Sequence, residues 1–232
     1  MLKEPPLLTL SRNVARLSAA QIEPFRDCIT GWVVDARNGR GSLDSAIKPI
    51  APEVAGMRRF VGTALPCWCG PNDNLALMAA VAVAEPGDVI LCACEGFAGS
   101  GMAGDLVIGM ARNKGVVAIV TDGMVRDREG IVGVGLPVFA RGITPNSCVR
   151  SGPGTVGLPV VIGGVPVRAG DLVLGDADGV VVVPAEELGM VEDRVAAIRV
   201  AEGKVEAEVK AGATGRPEMQ ALLASDRVAW VD

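Results

Sequence analysis

Two short apolar segments flanking one helix constrain this chain more than any other feature of it. Residues 88–94 (DVILCAC) and 116–121 (VVAIVT) have no polar face. Runs of that length, rich in β-branched residues, read as strands buried on both sides. Between them lie a glycine-rich loop, EGFAGSGMAG, and a helical stretch over 105–114 that Gly115 closes. Strand, helix and strand in that order form a βαβ unit, whose crossover makes the strands parallel and the connection right-handed. The expected fold class is therefore α/β.

The flanking chain supplies more layers. Residues 57–69 read as a strand, broken by Gly70-Pro71, after which Asn72 or Asp73 caps a short helix (NLALMAAVAVA) that Glu85-Pro86-Gly87 ends. Between Ser18 and Asp35, the residues Ile22, Phe25, Ile29, Trp32 and Val33 recur at helical spacing, with Ser18 as N-cap. PVFA at 137–140 is a further strand. Beyond Val156, β-branched runs broken by Gly163-Gly164 and by Asp176-Ala177-Asp178-Gly179 read as a β-meander of hairpins. Asp176 and Asp178 read as turn residues, because the twelve-residue calcium loop and its final Glu are absent. Residues 185–211 form a charged helix with Val191, Val195, Ile198 and Val205 on one stripe. One domain is expected over 1–232, with an arm (1–17) and a tail (212–232) at its periphery.

Composition excludes several functions. The chain has no histidine, which removes Ser-His-Asp and Cys-His catalysis and every His-ligated metal site. Its chemistry must run on carboxylates, Arg, Lys, backbone amides, water or a hard metal. A net charge of −5 and few aromatics argue against nucleic acid as a partner. No run is long and apolar enough for a membrane span, and MLKEPPLLTLSRN lacks the apolar core of a signal peptide, so a cytoplasmic protein is expected. Six cysteines in such a chain do not read as a disulfide framework. The pairs Cys67/Cys69 and Cys92/Cys94 lie on strands, where alternate residues share a face. Their spacing departs from the usual zinc pattern, and they read as small core residues rather than ligands.

The candidate site lies at the two ends of residues 104–127. Ligands of open α/β sheets bind beyond the carboxyl ends of the strands. Loops 95–104 and 122–127 leave the carboxyl ends of neighbouring parallel strands, so both should border one crevice. The first loop feeds a helix N-terminus, where the amides of Gly104, Asp105, Leu106 and Val107 lack intrahelical partners and favour an anion. The second brings Arg126, whose planar fork suits a carboxylate, and Asp127, a hard oxygen ligand for magnesium or manganese. Asp105 is in reach and could hold metal-bound water. Such a set suits a small α-keto acid, with the metal stabilising the enolate left when a C–C bond breaks. On residue types alone, a common Asp-Gly turn, an N-cap at Asp105 and a surface Arg126-Asp127 pair explain the stretch equally well.

The segment GDLVIGMARNKGVVAIVTDGMVRD closely resembles the RraA-like family, which includes 4-hydroxy-4-methyl-2-oxoglutarate (HMG) aldolases. IKPIAP, the DNLAL and AEPGDVI segments, GLPVFARGITP and AGDLVLGDADGVVVVP are similar to family segments in family order, across roughly residues 30 to 205. The resemblance implies an α/β/β sandwich like the phosphohistidine (swivelling) domain, assembled as trimers or hexamers with active sites at subunit interfaces. It implies Mg2+- or Mn2+-dependent cleavage of HMG or 4-carboxy-4-hydroxy-2-oxoadipate to pyruvate, with oxaloacetate decarboxylation. It places substrate-binding amides at Gly104, Asp105, Leu106 and Val107, the substrate arginine at Arg126, the metal aspartate at Asp127 and a water-holding acid at Asp105. An acid from a neighbouring subunit's C-terminal helix would complete the site, with Glu202 the candidate and Glu192, Glu206 and Glu208 its rivals. Met78 stands where many aldolase members carry a histidine, which bears on the substrate rather than the reaction class. Other members inhibit the endoribonuclease RNase E, and that is the alternative reading. No pattern for S-adenosylmethionine supports the methyltransferase label also attached to the family.

Overall fold

A computed structural model describes residues 4–231. In chain order the strands are β1 (Leu8–Leu10), β2 (Lys48–Pro49), β3 (Phe60–Cys69), β4 (Asp88–Ala93), β5 (Ala118–Thr121), β6 (Met124–Val125), β7 (Val138–Ala140), β8 (Gly142–Ile143), β9 (Gly154–Val156), β10 (Val160–Ile162), β11 (Val165–Val167), β12 (Leu172–Asp176) and β13 (Gly179–Val183). The helices are α1 (Ala19–Ile22), α2 (Thr30–Ala36), α3 (Leu75–Val83), α4 (Asp105–Asn113), α5 (Arg128–Val134), α6 (Leu188–Lys210) and α7 (Pro217–Leu223).

The βαβ unit forms as expected: β4 and β5 are parallel, with Ile90 opposite Ile119 and Cys92 opposite Thr121. β3 joins the other edge of β4 in parallel and β7 continues beyond β5, so the main sheet runs β1-β9-β3-β4-β5-β7-β2. β3 is long enough to serve two partners on its outer edge. Its first residues pair antiparallel with β12 and its last with β9. Pro66 falls at the junction between them. Its carbonyl accepts from Gly157 on that edge, so its missing N–H also faces the junction and costs no ladder bond.

Side chains alternate strictly across the sheet. Leu65, Cys67, Cys69, Ile90, Cys92, Ile119 and Val138 enter one core with α3, α4 and α5. Ala64, Val89, Leu91, Val120 and Phe139 enter a second core, covered by the β10–β11 hairpin and β13. β13 faces two ways, with Val180 and Val182 in that second core. Val181 and Val183 lie in a third core with α2 and α6. The result is a helical layer, a sheet and a second β layer, which agrees with the expected α/β/β arrangement.

Several elements differ from expectation. The helix over 18–35 is broken into α1, a single 3-10 turn and α2. Pro24 enters that turn, and Asp176 restarts the helix by accepting from the Thr30 amide and hydroxyl, each at 2.8 Å. The run beyond Val156 is not one meander, because β12 leaves the β10–β11 hairpin to pair with β3. The stretch after Arg126 contains a helix, α5, that its glycines conceal. The arm over 1–17 is not merely peripheral in its described part. β1 pairs with β9 in parallel, and Arg16 reaches Asp88 through two hydrogen bonds of 2.9 and 3.0 Å. In the tail, residues 217–223 form α7.

Asp88 is 1% exposed and opens β4, and the Glu85 amide is its other partner. Removing one member of a buried ion pair strands the other, at a cost of about 3 kcal/mol or more. Arg16→Met is therefore expected to lower the unfolding free energy by about 3 kcal/mol in urea titration. A loss within the scatter of surface substitutions would show that Asp88 finds another partner.

Candidate active site

The two loops at the carboxyl ends of β4 and β5 meet through backbone and side-chain hydrogen bonds. Asp122, 6% exposed, accepts from the Cys94 amide at 2.7 Å and from the Gly96 amide at 3.1 Å. This fastens the exit of β5 to the exit of β4. Cys94 packs on the same carboxylate, and burial together with the Asp122 charge pushes its thiol up to about 12. A Cβ at Gly123 would lie 2.4 Å from Cys94 Sγ, so the turn after Asp122 requires glycine.

Farther along, the loops run side by side. The Met102 amide donates to Met124 O at 2.8 Å, and the Arg126 amide donates to Ala103 O at 2.9 Å. Gly104 is thereby set against Arg126 and Asp127. A Cβ on Gly104 would stand 2.3 Å from Asp127 Oδ2 and 3.3 Å from Arg126 Nε. The expected convergence of the two ends of 104–127 is present.

Together they line a crevice of about 80 Å³ that includes Gly104, Asp105, Leu106, Val107, Arg126 and Asp127. Among the described residues, the amides of Gly104, Asp105 and Val107 make no hydrogen bond. The Leu106 amide is different: Asp105 Oδ1 accepts it at 2.8 Å. The carboxylate of Asp105 lies over α5, where a Cβ on Gly130 would come within 2.4 Å of Asp105 Oδ2. Arg126 Nε lies 3.2 Å from Asp127 Oδ2, and Arg126 Nη1 donates to Ser147 Oγ. Asp127 adopts left-handed backbone angles, with φ 59°, and its carbonyl starts α5 by accepting from Ile131. Asp is among the few non-glycine residues that tolerate that region.

Sequence reading missed the wall formed by residues 144–152. The Gly101 amide donates to Asn146 O, and Val149 exchanges backbone bonds with Asn72 and Asn74. Asp73 accepts from the Gly152 amide and from the Leu75 amide, each at 2.8 Å, while the N-cap of α3 is Asn74 rather than the expected Asn72 or Asp73. This wall adds Ser147, Cys148 and Arg150 to the crevice. The only local trace of it is a run of turn-forming residues after β8. Asn74, also in the crevice, donates to Met102 O at 2.8 Å, and its Oδ1 is buried without a partner.

Two expected participants lie elsewhere in this chain. Met78 lines a groove between α3 and α4 with Val81, Ala82 and Met110, not the crevice. Glu202 is exposed on α6 and accepts from the Trp32 indole, whose ring carries the Arg199 guanidinium 5.2 Å from its centroid. It does not line the crevice.

Comparison with known proteins assigns the family. The model of the RraA-like family, described as Aldolase/RraA, matches residues 30–182. The chain belongs to this family. A Halalkalibacterium halodurans protein named "Putative 4-hydroxy-4-methyl-2-oxoglutarate aldolase" is 39% identical over 171 residues, covering 72% of this chain and 80% of that protein. The solved RNA-processing inhibitor RraA from Thermus thermophilis shares 25% identity with a TM-score of 0.61, over 68% of this chain and 93% of that one. An uncharacterized protein from Pseudomonas syringae has the same fold, at TM-score 0.73 and 24% identity over 86% of this chain and 96% of its own.

Gly104 has ordinary extended angles, so the Gly104→Ala backbone is unstrained and the cost to stability should stay below about 1 kcal/mol. The new methyl is expected to turn the Asp127 carboxylate out of its place, visible in a crystal structure of the variant. An unmoved Asp127 in the Gly104→Ala variant would show that the contact with Gly104 does not position it.

Proposed function

We propose that this member of the RraA-like family is a lyase that cleaves a C–C bond of a small 2-keto acid and releases pyruvate. The reading covers HMG and 4-carboxy-4-hydroxy-2-oxoadipate as aldol substrates and oxaloacetate as a decarboxylation substrate. The observation that carries it is the set of open amides at the start of α4 facing Arg126 and Asp127 across one small crevice. Open helix N-terminal amides and a guanidinium together bind a carboxylate. The orphaned Asn74 Oδ1 is an acceptor for a hydroxyl of the substrate or for water.

The donor set fits a hard divalent cation. Asp127 is half-exposed with its carboxylate at the crevice, and magnesium is commonly held by one or two carboxylates with water completing its shell. In this reading Asp127 holds Mg2+ or Mn2+, and Asp105 orients water beside it. When bound, the cation supplies Lewis-acid polarisation of the keto group. Arg126 and the amides of Gly104, Asp105 and Val107 fix the substrate carboxylate, so that the scissile bond is oriented and the charge developing nearby meets preorganised donors. Within one chain no residue of α6 lines the crevice, so an acid from α6 would have to come from another copy. A homotrimer or hexamer with sites between subunits is the assembly in keeping with this.

A panel of keto acids assayed for pyruvate release, with and without Mg2+, Mn2+ and chelator, tests the reading. Oxaloacetate turnover that requires the cation is expected, and full activity in excess chelator would overturn it. Removing one preorganised donor to developing charge costs about 10²- to 10³-fold in turnover, which is the loss expected for Arg126→Ala. Asp127→Ala should abolish the response to added cation. The alternative is a non-catalytic inhibitor of RNase E, favoured by the 25% identity to the Thermus RNA-processing inhibitor. No keto-acid turnover together with tight binding to such a ribonuclease would establish that role instead.

A further inference from the structure

Beneath α3, on the helical side of the sheet, the thiols of Cys67, Cys69 and Cys92 converge. Their three sulfurs all lie within 4.8 Å of one another, and each residue is 0% exposed. Cys92 Sγ lies 3.7 Å from Cys69 Sγ. The convergence follows from the register. Cys67 and Cys92 are direct partners across the parallel β3–β4 ladder, and Cys69 is two residues along the same face. A trigonal site with metal–sulfur bonds of about 2.3 Å needs sulfurs about 4.0 Å apart. The 3.7 Å between Cys69 and Cys92 is close to that separation, and the other two lie below 4.8 Å.

We propose that Cys67, Cys69 and Cys92 form a binding site for a soft, thiophilic ion, specifically Cu(I). Two arguments select this class. Thiolate sulfur favours soft ions over the hard cations that suit carboxylates. Structural zinc takes four ligands. Among the described residues no fourth His, Cys, Asp or Glu donor joins the cluster. Cys94, next on the same face of β4, is turned to Asp122, its Sγ 3.3 Å from Oδ1.

Binding releases thiol protons to solvent. Three thiolates around a monovalent ion account for three released protons and a net charge of −2 on the centre. The turn 70–74 joins Cys69 to Asn74 in the crevice wall and is held by the Asp73 bonds to Ser151 and Gly152. The site is separate from the carboxylate crevice and takes an ion of opposite character.

The test uses the full chain with Cys28→Ala and Cys148→Ser, which leaves Cys67, Cys69, Cys92 and Cys94. Anaerobic titration with Cu(I) from its bicinchoninate complex should transfer one equivalent per chain. X-ray absorption should show a shell of three sulfurs at about 2.3 Å. The thermal midpoint should rise, because an ion bound only to the folded state stabilises it. Adding Cys69→Ala or Cys67→Ala should abolish the transfer while circular dichroism stays native. Failure of the folded double variant to take up Cu(I), or a shell of nitrogen or oxygen, would overturn the proposal. So would uptake that survives both alanine substitutions. If the alanine variants do not fold, the sulfur count in the double variant alone decides.

Discussion

The parallel ladder between β3 and β4 is the interaction on which the rest of the structure depends. It runs from Thr63 opposite Asp88 to Trp68 opposite Ala93 and leaves both strands buried on both faces. On one side it extends through β5 to β7, which places the loops of the candidate site. On the other, β3 collects β12 and β9, which bring in the second β layer and the edge strand β1. Because side chains alternate along these strands, a slip of one residue would send the helical-side core into the hairpin layer. The Arg16–Asp88 pair secures the start of β4.

Placement of the candidate site then rests on few polar contacts. The Asp122 carboxylate links the exits of β4 and β5, and two backbone bonds carry the loops onward to Gly104 and Asp127. Hydrogen bonds to a buried charge are worth about 1.5–3 kcal/mol each, several times the median for an exposed ion pair. Asp122 therefore outranks the exposed Arg126–Asp127 contact as a source of order. That leaves Arg126 and Asp127 free to exchange their mutual contact for ligands. The unpartnered amides of α4 need no such exchange, since a helix N-terminus leaves them open by construction.

Burial sets the thiols of β3 and β4 apart from the candidate site, although Cys148 lines it. Carboxylates and the guanidinium face the crevice, whereas the thiols of β3 and β4 are shut beneath α3. One turn, residues 70–74, adjoins both regions: Cys69 precedes it and Asn74 ends it. The α6 helix takes no part in either within a single chain. Its stripe of Leu188, Val191 and Val195 packs on the third core, and beyond Ile198 it carries mostly exposed residues, Glu202 among them.

The sequence by itself determined the elements whose signal is local. The apolar runs of β4 and β5, the amphipathic α4 and the turn residues around them specify a parallel βαβ unit, which already requires loops 95–104 and 122–127 to share an edge. The missing histidine also limits the chemistry before any coordinates exist. Tertiary structure alone decided everything that depends on contacts between residues far apart in the chain. It broke the first helix by bringing Asp176 to Thr30, folded residues 144–152 over the crevice, and let Asp105 occupy one of the expected open amides. It also gave Glu202 a partner in Trp32 and brought two Cys-x-Cys pairs into one register. Periodicity and spacing report which face a residue occupies, not what meets that face. The meeting is set by strand register and long-range hydrogen bonds, which leave no local mark in the chain.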